Sequence, residues 1–190
     1  MAKKVLALVG GIAKDSLNKK FYQVLKKSAP SGFEVDTFDI SLLPYFSQDL
    51  EKDIPGVVRA FKKQIENSDL ILIVTPEYNR SMPGVLKNAL DWGSRPEKEN
   101  SWDGKKGGVV GASSGNIGTF GAQSHVRQVM MHLNVQMLCQ PEFYFNGGKA
   151  FDENGHLTEP KTQEFIGKYW KALAEFAEES AEEPVKEHEK

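Results

Sequence analysis

Apolar runs alternate with amphipathic stretches along almost the whole chain. Runs rich in branched and small apolar residues have the composition of buried strands, and they occur at Lys4–Val9, Leu70–Val74, Gly107–Ser113 and Val135–Leu138. Residues 33–40 instead alternate apolar with polar side chains, which predicts an edge strand with one wet face. Apolar residues between and after these runs recur at helical spacing and predict five helices, the third starting at Pro83. The buried faces of the other four include Leu17, Phe21, Val24, Leu25, Val57, Val58, Phe61, Ile65, Val126, Val129, Met130, Leu133, Phe165, Ile166, Tyr169, Leu173 and Phe176.

Five strands that alternate with five helices predict an α/β fold, because parallel strands need a helical crossover between them. We expect a doubly wound, five-stranded parallel sheet of order 2-1-3-4-5 with helices on both faces. Residues 1–177 are taken as one domain, since a split would leave two marginal cores. Residues 178–190 are charged and poor in apolar side chains, which predicts a disordered tail.

Three loops of this topology rise from the carboxyl edge of the sheet, where ligands bind in such folds. They are Gly10–Asn18, Thr75–Met82 and Ala112–Phe120. The second loop is unusual, because a buried apolar strand ends there in a stiff, polar and aromatic segment. Such a segment costs stability unless it holds something, so the sequence predicts a binding crevice between the three loops.

The first loop places Asp15, Ser16 and Asn18 near the start of a helix. Free N–H groups and the helix dipole favour an anion at that end, and polar side chains can complete a phosphate site. A simple Asp or Ser N-cap explains the same residues equally well. The loop is neither a G-x-G-x-x-G fingerprint nor a P-loop, which argues against ordinary dinucleotide binding and P-loop hydrolysis.

The second loop offers a stiff strip of backbone over Glu77–Arg80, with Tyr78 as an aromatic face. Its N–H and C=O groups suit the donor–acceptor edge of a flat heterocycle. Ser81 is placed to cap the helix that starts near Pro83. In the alternative interpretation, Tyr78 is merely packed and Glu77 caps a helix.

The third loop is rich in glycine, which allows either close approach of a flat ligand or a flexible turn. Its glycines are Gly111, Gly115, Gly118 and Gly121. No Ser-His-Asp triad, nucleophile elbow or metal-ligand cluster can be assigned, and His125 and His132 lack partners at ligand spacing. A crevice without an evident acid, base or metal predicts that a cofactor performs the reaction.

The composition favours a small-molecule partner. The 190 residues carry a net charge of -2, with basic and acidic residues interspersed, so no field attracts nucleic acid or a membrane surface. No apolar run is long enough to span a bilayer. The single cysteine, Cys139, excludes an internal disulfide and agrees with a reducing, cytoplasmic location.

Two segments carry a resemblance to a known family. Residues 75–92, TPEYNRSMPGVLKNALDW, match the pattern T-P-E-Y-N-x-S-x-P-G-x-L-K-N-x-[IL]-D-W, and residues 111–130 match G-A-S-x-G-x-x-G followed by a helix with a Val-Arg pair. Over Lys4–Phe176 the chain resembles the NADPH-dependent FMN reductases, flavodoxin-like flavoproteins that include quinone, azo-dye and chromate reductases.

The resemblance implies a non-covalent FMN as cofactor. Its phosphate is expected at Ser16 and Asn18, and its isoalloxazine ring along residues 76–79, with Ser113 closing the site. The full set of expected cofactor-binding residues is Gly11, Lys14, Ser16, Leu17, Asn18, Pro76, Glu77, Tyr78, Asn79, Arg80, Ser113 and Gly115.

The resemblance also implies an activity and an assembly. NAD(P)H is expected to pass a hydride to flavin N5, after which quinones, free flavin, azo compounds or metal oxyanions take the electrons in a ping-pong cycle. No side chain is expected to be catalytic. The loops Ser41–Gly56 and Gly93–Lys106, with Trp102, are expected to form the acceptor pocket, either within one chain or contributed by a second subunit. The resemblance implies a homodimer or homotetramer.

The first loop departs from the family pattern G-S-x-R-x-x-S-x-N. Gly11 replaces the serine and Ala13 the arginine, so a phosphate-pairing side chain is missing. Loss of one charge-assisted hydrogen bond, worth ~1.5–3 kcal/mol, would weaken FMN binding by about one to two orders of magnitude. Lys14 is adjacent and is expected to supply the charge. Arg80, a second departure, is expected to stabilise reduced flavin or to meet the phosphates of the nucleotide.

Two other functions remain compatible with the sequence. A flavodoxin-type electron carrier shares the fold, but such carriers are usually strongly acidic and use a Thr/Ser-rich phosphate loop. A member that has lost FMN and serves as an interaction protein is supported only by the departures at Gly11 and Ala13.

Overall fold

Six strands form one parallel sheet in a computed structural model that describes residues 2–179. The strand order is β2-β1-β3-β4-β5, and β6 also pairs with β4. The predicted α/β class and the order 2-1-3-4-5 are therefore confirmed. The bounds are Lys3–Val9 for β1, Phe33–Thr37 for β2, Leu70–Val74 for β3, Lys106–Ser113 for β4, Gln136–Met137 for β5 and Tyr144–Asn146 for β6.

The two edge places of the sheet differ from the prediction. The strand expected over residues 33–40 ends at Thr37, because Asp39 accepts a hydrogen bond from the N–H of Ser41 (3.1 Å) and starts a 3₁₀ turn. The fifth place is shared by two short strands, β5 and β6, which pair with the two ends of β4. Strand β6 was not predicted.

The described residues contain five α-helices, and all five are at or near their predicted places. Their bounds are Leu17–Lys27 for α1, Gly56–Glu66 for α2, Gly84–Ser94 for α3, Phe120–His132 for α4 and Pro160–Glu178 for α5. Helix α1 illustrates the local physics: Ser16 is its N-cap, with its hydroxyl accepting from the N–H of Lys19, and the apolar stripe buries Phe21 and Leu25.

The core lies in two layers, one on each face of the sheet. Helices α1 and α5 cover one face, where Phe21 and Trp170 are fully buried. Helices α2, α3 and α4 cover the other, around Phe61 and Trp92. The central strand β3 is buried at all five positions, as expected for a parallel strand covered on both sides. Helices on both faces are thus confirmed.

The loop Gly93–Lys106 does not lie at the predicted crevice. It leads into β4 and therefore lies at the amino edge of the sheet, opposite the three loops. Trp102 is fully buried, and its Nε1 donates to the carbonyl oxygen of Leu90 (2.9 Å). A Cβ at position 93 would collide with the indole ring, so Gly93 makes room for it. The expectation that Trp102 lines an acceptor pocket is wrong.

The end of the described chain is attached to the sheet. Lys106 donates from Nζ to the carbonyl oxygen of Phe176 (2.8 Å), and Lys3 pairs with Glu178 at 3.1 Å. Residues 180–190 of the predicted tail lie outside the described residues, so disorder there stays a prediction. None of the helices in residues 2–179 has both the length and the apolar character that a membrane span requires.

Candidate functional site

The three loops meet at the carboxyl edge of the sheet. The N–H of Gly10 donates to the carbonyl oxygen of Val74 (2.9 Å), which joins the first loop to the second. The N–H of Thr75 donates to Val110 (3.0 Å), which joins the second to β4 and the third loop. The crevice predicted from the topology therefore has its three walls in place.

Asn18 joins the first loop to the third with both ends of its side-chain amide. Its Nδ2 donates to the carbonyl oxygen of Ala112 (2.8 Å), and its Oδ1 accepts from the N–H of the same residue (2.9 Å). The amide thus takes the place of a neighbouring strand's peptide beside the end of β4. Because both ends are engaged, what Asn18 offers a ligand at this helix start is its backbone N–H.

The first loop carries a cation that the sequence reasoning missed. Lys19 folds back and donates from Nζ to the carbonyl oxygen of Ile12 (2.9 Å). Both Lys14 and Lys19 are exposed. The N–H groups of Leu17 and Asn18 lie in the first helical turn, where no intrahelical acceptor exists. Lys19 follows the N-cap Ser16 by three positions, a spacing that directs the lysine side chain back toward the loop. This spacing could have identified Lys19 as a candidate from the sequence.

Gly11 allows the first loop to fold tightly around Ser16. A Cβ at position 11 would collide with the Ser16 hydroxyl oxygen, which is itself held near the N–H of Lys19. The glycine therefore suits the conformation of this loop, although it removes the hydroxyl found in the family pattern. Ser16 is buried at the base of the loop.

The second loop is a two-residue hairpin turn. Tyr78 and Ser81 exchange backbone hydrogen bonds of 2.9 and 3.0 Å, and Asn79 and Arg80 between them have positive φ angles of 50° and 65°. Left-handed backbone at two consecutive non-glycine residues is costly, and such strain concentrates at functional sites. Tyr78 is 52% exposed and faces the crevice region, whereas Pro76 is buried against Gly10.

Side chains of the second loop attach it to α4. Glu77 accepts at Oε2 from the N–H of Ala122 (3.1 Å) in the first turn of that helix. Ser81 Oγ lies 2.9 Å from Nδ1 of His125. The interpretation of Glu77 as a helix cap is confirmed, and the expectation that Ser81 caps α3 is wrong, because Pro83 occupies the N-cap of α3 without a side-chain bond.

Replacing Arg80 by glycine should destabilise the protein less than replacing it by alanine. Both variants lose a guanidinium that is 76% exposed and 3.7 Å from Glu77. An ion pair as exposed as this one adds little to stability. Only glycine relieves the left-handed penalty. Arg80→Gly should therefore unfold with a free energy about 1 kcal/mol higher than Arg80→Ala in urea titrations. An alanine variant as stable as the glycine variant would contradict the strain argument.

The third loop is closed by a local turn. The Ser113 hydroxyl accepts from the N–H of Gly115 and lies 3.1 Å from the carbonyl oxygen of the same residue. Gly118 has a φ of 65° and packs so closely on Tyr144 that a side chain would not fit. Partial burial raises the pKa of Tyr144, a neighbour of this loop, to about 12, and the nearby Glu142 carboxylate adds to the shift.

Exposed apolar side chains concentrate on the same edge. Six of the seven large apolar side chains that are exposed among the described residues lie in the loops after β1, β2, β3 and β4 or at the start of α4. They are Ile12, Leu42, Tyr45, Tyr78, Ile117 and Phe120. Clustered exposed apolar surface marks a binding site.

This edge fits a ligand with a flat apolar body and an anionic tail, such as FMN. The first loop supplies free N–H groups, the Ser16 hydroxyl and the Lys19 ammonium for an anion. Tyr78 and Ile117 supply exposed apolar surface on two different loops for the body. The predicted residues Gly11, Ser16 and Leu17 of the first loop, 76–80 of the second, and Ser113 and Gly115 of the third are all on this edge. Lys14 shares the first loop and is exposed.

The chain is similar to several characterised proteins. It is 48% identical over 167 residues to a 2-hydroxy-1,4-benzoquinone reductase of a Burkholderia species, which covers 87% of this chain and 91% of that protein. It is 40% identical over 172 residues to an NAD(P)H-dependent FMN reductase of Pseudomonas aeruginosa, covering 90% and 92%. The solved structure of FerB, a flavoenzyme NAD(P)H:(acceptor) oxidoreductase from Paracoccus denitrificans, superposes with a TM-score of 0.88 at 40% identity, covering 93% and 98%.

Flavodoxins are more distant. A flavodoxin of Pseudomonas aeruginosa superposes with a TM-score of 0.56 at 19% identity, a likeness that concerns the fold alone. The sequence profile of one family, described as NADPH-dependent FMN reductase, matches residues 3–152. The chain belongs to the NADPH-dependent FMN reductase family.

Proposed function

We propose that this protein is an FMN-dependent NAD(P)H oxidoreductase that reduces quinones. The observation that carries the proposal is the exposed apolar rim directly beside a loop that presents free N–H groups and an ammonium group. Family membership and relatives named quinone reductase and FMN reductase support it.

The first loop would hold the phosphate of FMN. The N–H groups of Leu17 and Asn18, the Ser16 hydroxyl and the Lys19 ammonium converge on the start of α1, where the helix dipole also favours a negative charge. Lys19 would supply the charge that the family's arginine provides elsewhere. Lys14 adds a positive charge to the same loop from an exposed position.

The second and third loops would hold the ring. The hairpin turn at 78–81 fixes Tyr78 and the adjacent backbone, and its attachment to α4 through Glu77 keeps the turn in place. Because the Glu77 carboxylate faces a helix start and Arg80, its negative charge is compensated locally. This reduces repulsion toward an electron-rich ring. The turn formed by Ser113 and Gly115 would close the opposite side of the ring site.

When bound, FMN supplies the centre that accepts a hydride from NAD(P)H and returns electrons to the acceptor. The protein's part is to bind, orient and shield the reactants, and no described side chain is required as an acid or base. We extend the proposal to a ping-pong cycle, in which donor and acceptor use the same opening in turn, and to free flavin, azo compounds and metal oxyanions as further acceptors. We also propose self-association into a dimer or tetramer.

The test is an anaerobic titration of the protein loaded with FMN. The flavin absorbance should bleach on addition of NADPH or NADH and return on addition of 1,4-benzoquinone. Protein that bleaches only when a separate reductase is added would indicate an electron carrier. Protein that binds no FMN, with no rise in melting temperature in excess FMN, would indicate a member that has lost the cofactor.

A further inference from the structure

Tyr45 is the most exposed large apolar side chain of residues 2–179, at 88%. It lies in the segment between β2 and α2, next to residues that are packed. A tyrosine ring has a large apolar area, so leaving it in water forgoes stabilisation that burial would give. The position of this ring calls for an explanation other than folding.

The backbone on both sides of Tyr45 is fixed by α3. The Asn88 amide accepts at Oδ1 from the N–H of Phe46 (2.8 Å) and donates from Nδ2 to the carbonyl oxygen of Pro44 (2.9 Å). The same carbonyl oxygen accepts from Nε1 of Trp92 (2.7 Å). The Phe46 ring packs edge-on against the Trp92 ring at 5.1 Å. The backbone at Tyr45 is therefore held in place, while the Tyr45 ring itself stays outside the core.

Tyr45 lines a cleft with an uncharged wall. The cleft has a volume of about 490 Å³ and reaches the first two loops of the site through Ile12 and Tyr78. Its polar side chains other than the tyrosines are Ser41 and Asn88, and no described residue that lines it carries a charge. Such a lining suits an uncharged flat molecule better than a compact anion.

We propose that Tyr45 determines the acceptor specificity of this enzyme by stacking on flat aromatic acceptors such as quinones, while adding little for acceptors that have no flat face. The inference rests on the proposed function, because it assigns the cleft to the electron acceptor. Rigid aromatic side chains of this kind add affinity with little loss of conformational freedom, since their backbone is already ordered. A tyrosine contributes its ring rather than its hydroxyl here, so phenylalanine should replace it.

The first test compares two acceptors in the oxidative half-reaction. Protein loaded with FMN is reduced with dithionite and mixed in a stopped-flow instrument with 1,4-naphthoquinone or with ferricyanide, an octahedral anion. Tyr45→Ala should lower the rate constant for naphthoquinone about 3- to 10-fold, the range of a lost stacking contact, and change that for ferricyanide less than about twofold. Tyr45→Phe should behave as the unmodified protein. Met131→Ala, which removes an exposed apolar side chain of α4 that lies outside both the cleft and the exposed apolar edge, is the matched control.

The second test measures binding without turnover. Calorimetric titration of naphthoquinone into the oxidised, FMN-loaded protein should give a Kd raised about 3- to 10-fold by Tyr45→Ala and unchanged by Met131→Ala. If Tyr45→Ala lowered the rate constants for both acceptors equally, or left the Kd for naphthoquinone unchanged, the inference would be overturned while the proposed function stands. A fall in oligomer mass on Tyr45→Ala would overturn it too, because a second copy would then cover the ring. Unmodified protein that reduces neither acceptor would instead remove the proposed function.

Discussion

Replacing Asn18 by alanine should lower the free energy of unfolding by about 2–4 kcal/mol. The change deletes both hydrogen bonds to Ala112 and leaves a buried N–H and a buried carbonyl oxygen without partners, at about 1–3 kcal/mol each. It also releases α1 from the end of β4. Urea unfolding followed by circular dichroism measures the loss.

The control is Asn116→Ala, which removes an exposed amide that accepts from Asn146 at 3.2 Å. This surface change should stay within about 0.5 kcal/mol of the unmodified protein. If Asn18→Ala were no more destabilising than this control, Asn18 would not be the structural bridge described above. FMN affinity of Asn18→Ala should fall as well, since the variant separates two loops of the site.

Lys19→Met should weaken FMN binding by about 10- to 100-fold and leave riboflavin binding unchanged. A charge-assisted hydrogen bond to phosphate is worth ~1.5–3 kcal/mol. Riboflavin has the same ring and no phosphate, so it separates this contact from any distortion of the ring site. Quenching of flavin fluorescence gives both dissociation constants.

Lys20→Met is the matched control for Lys19, because it removes the same charge from the next position of α1, where the side chain runs beside Gly155 instead of the first loop. It should change FMN affinity about twofold or less. Lys14→Met tests the expectation drawn from the sequence. A loss seen with Lys14→Met and absent with Lys19→Met would return the phosphate charge to Lys14, and equal losses for riboflavin and FMN would refute a phosphate contact.

The apolar pattern was sufficient to predict the architecture because parallel strands are buried on both faces. Leu70–Val74 is apolar at every position and buried at every position, so strand and topology follow from composition and alternation with helices. β6 escaped prediction because Tyr144–Asn146 is too short for any periodicity, and its pairing with β4 is decided by the tertiary structure.

The site was predicted at the level of loops and less well at the level of atoms. Topology brings three loops to one edge whatever their side chains do. By contrast, the partner of the Asn18 amide is 94 residues away, and the Lys19 contact depends on how the loop folds back. The misplacement of Trp102 was avoidable, since a loop that enters a parallel strand lies at the amino edge.

The divided fifth place of the sheet has a consequence for association between chains. An edge strand with a long row of free N–H and C=O groups can template pairing with another molecule and lead to aggregation. Here that edge consists of the two residues of β5 and the three of β6, with the chain leaving the sheet between them. The opposite edge, β2, presents the carboxylates of Glu34 and Asp36 within only five residues. Neither side offers an uninterrupted apolar ribbon on which fibrillar stacking could begin.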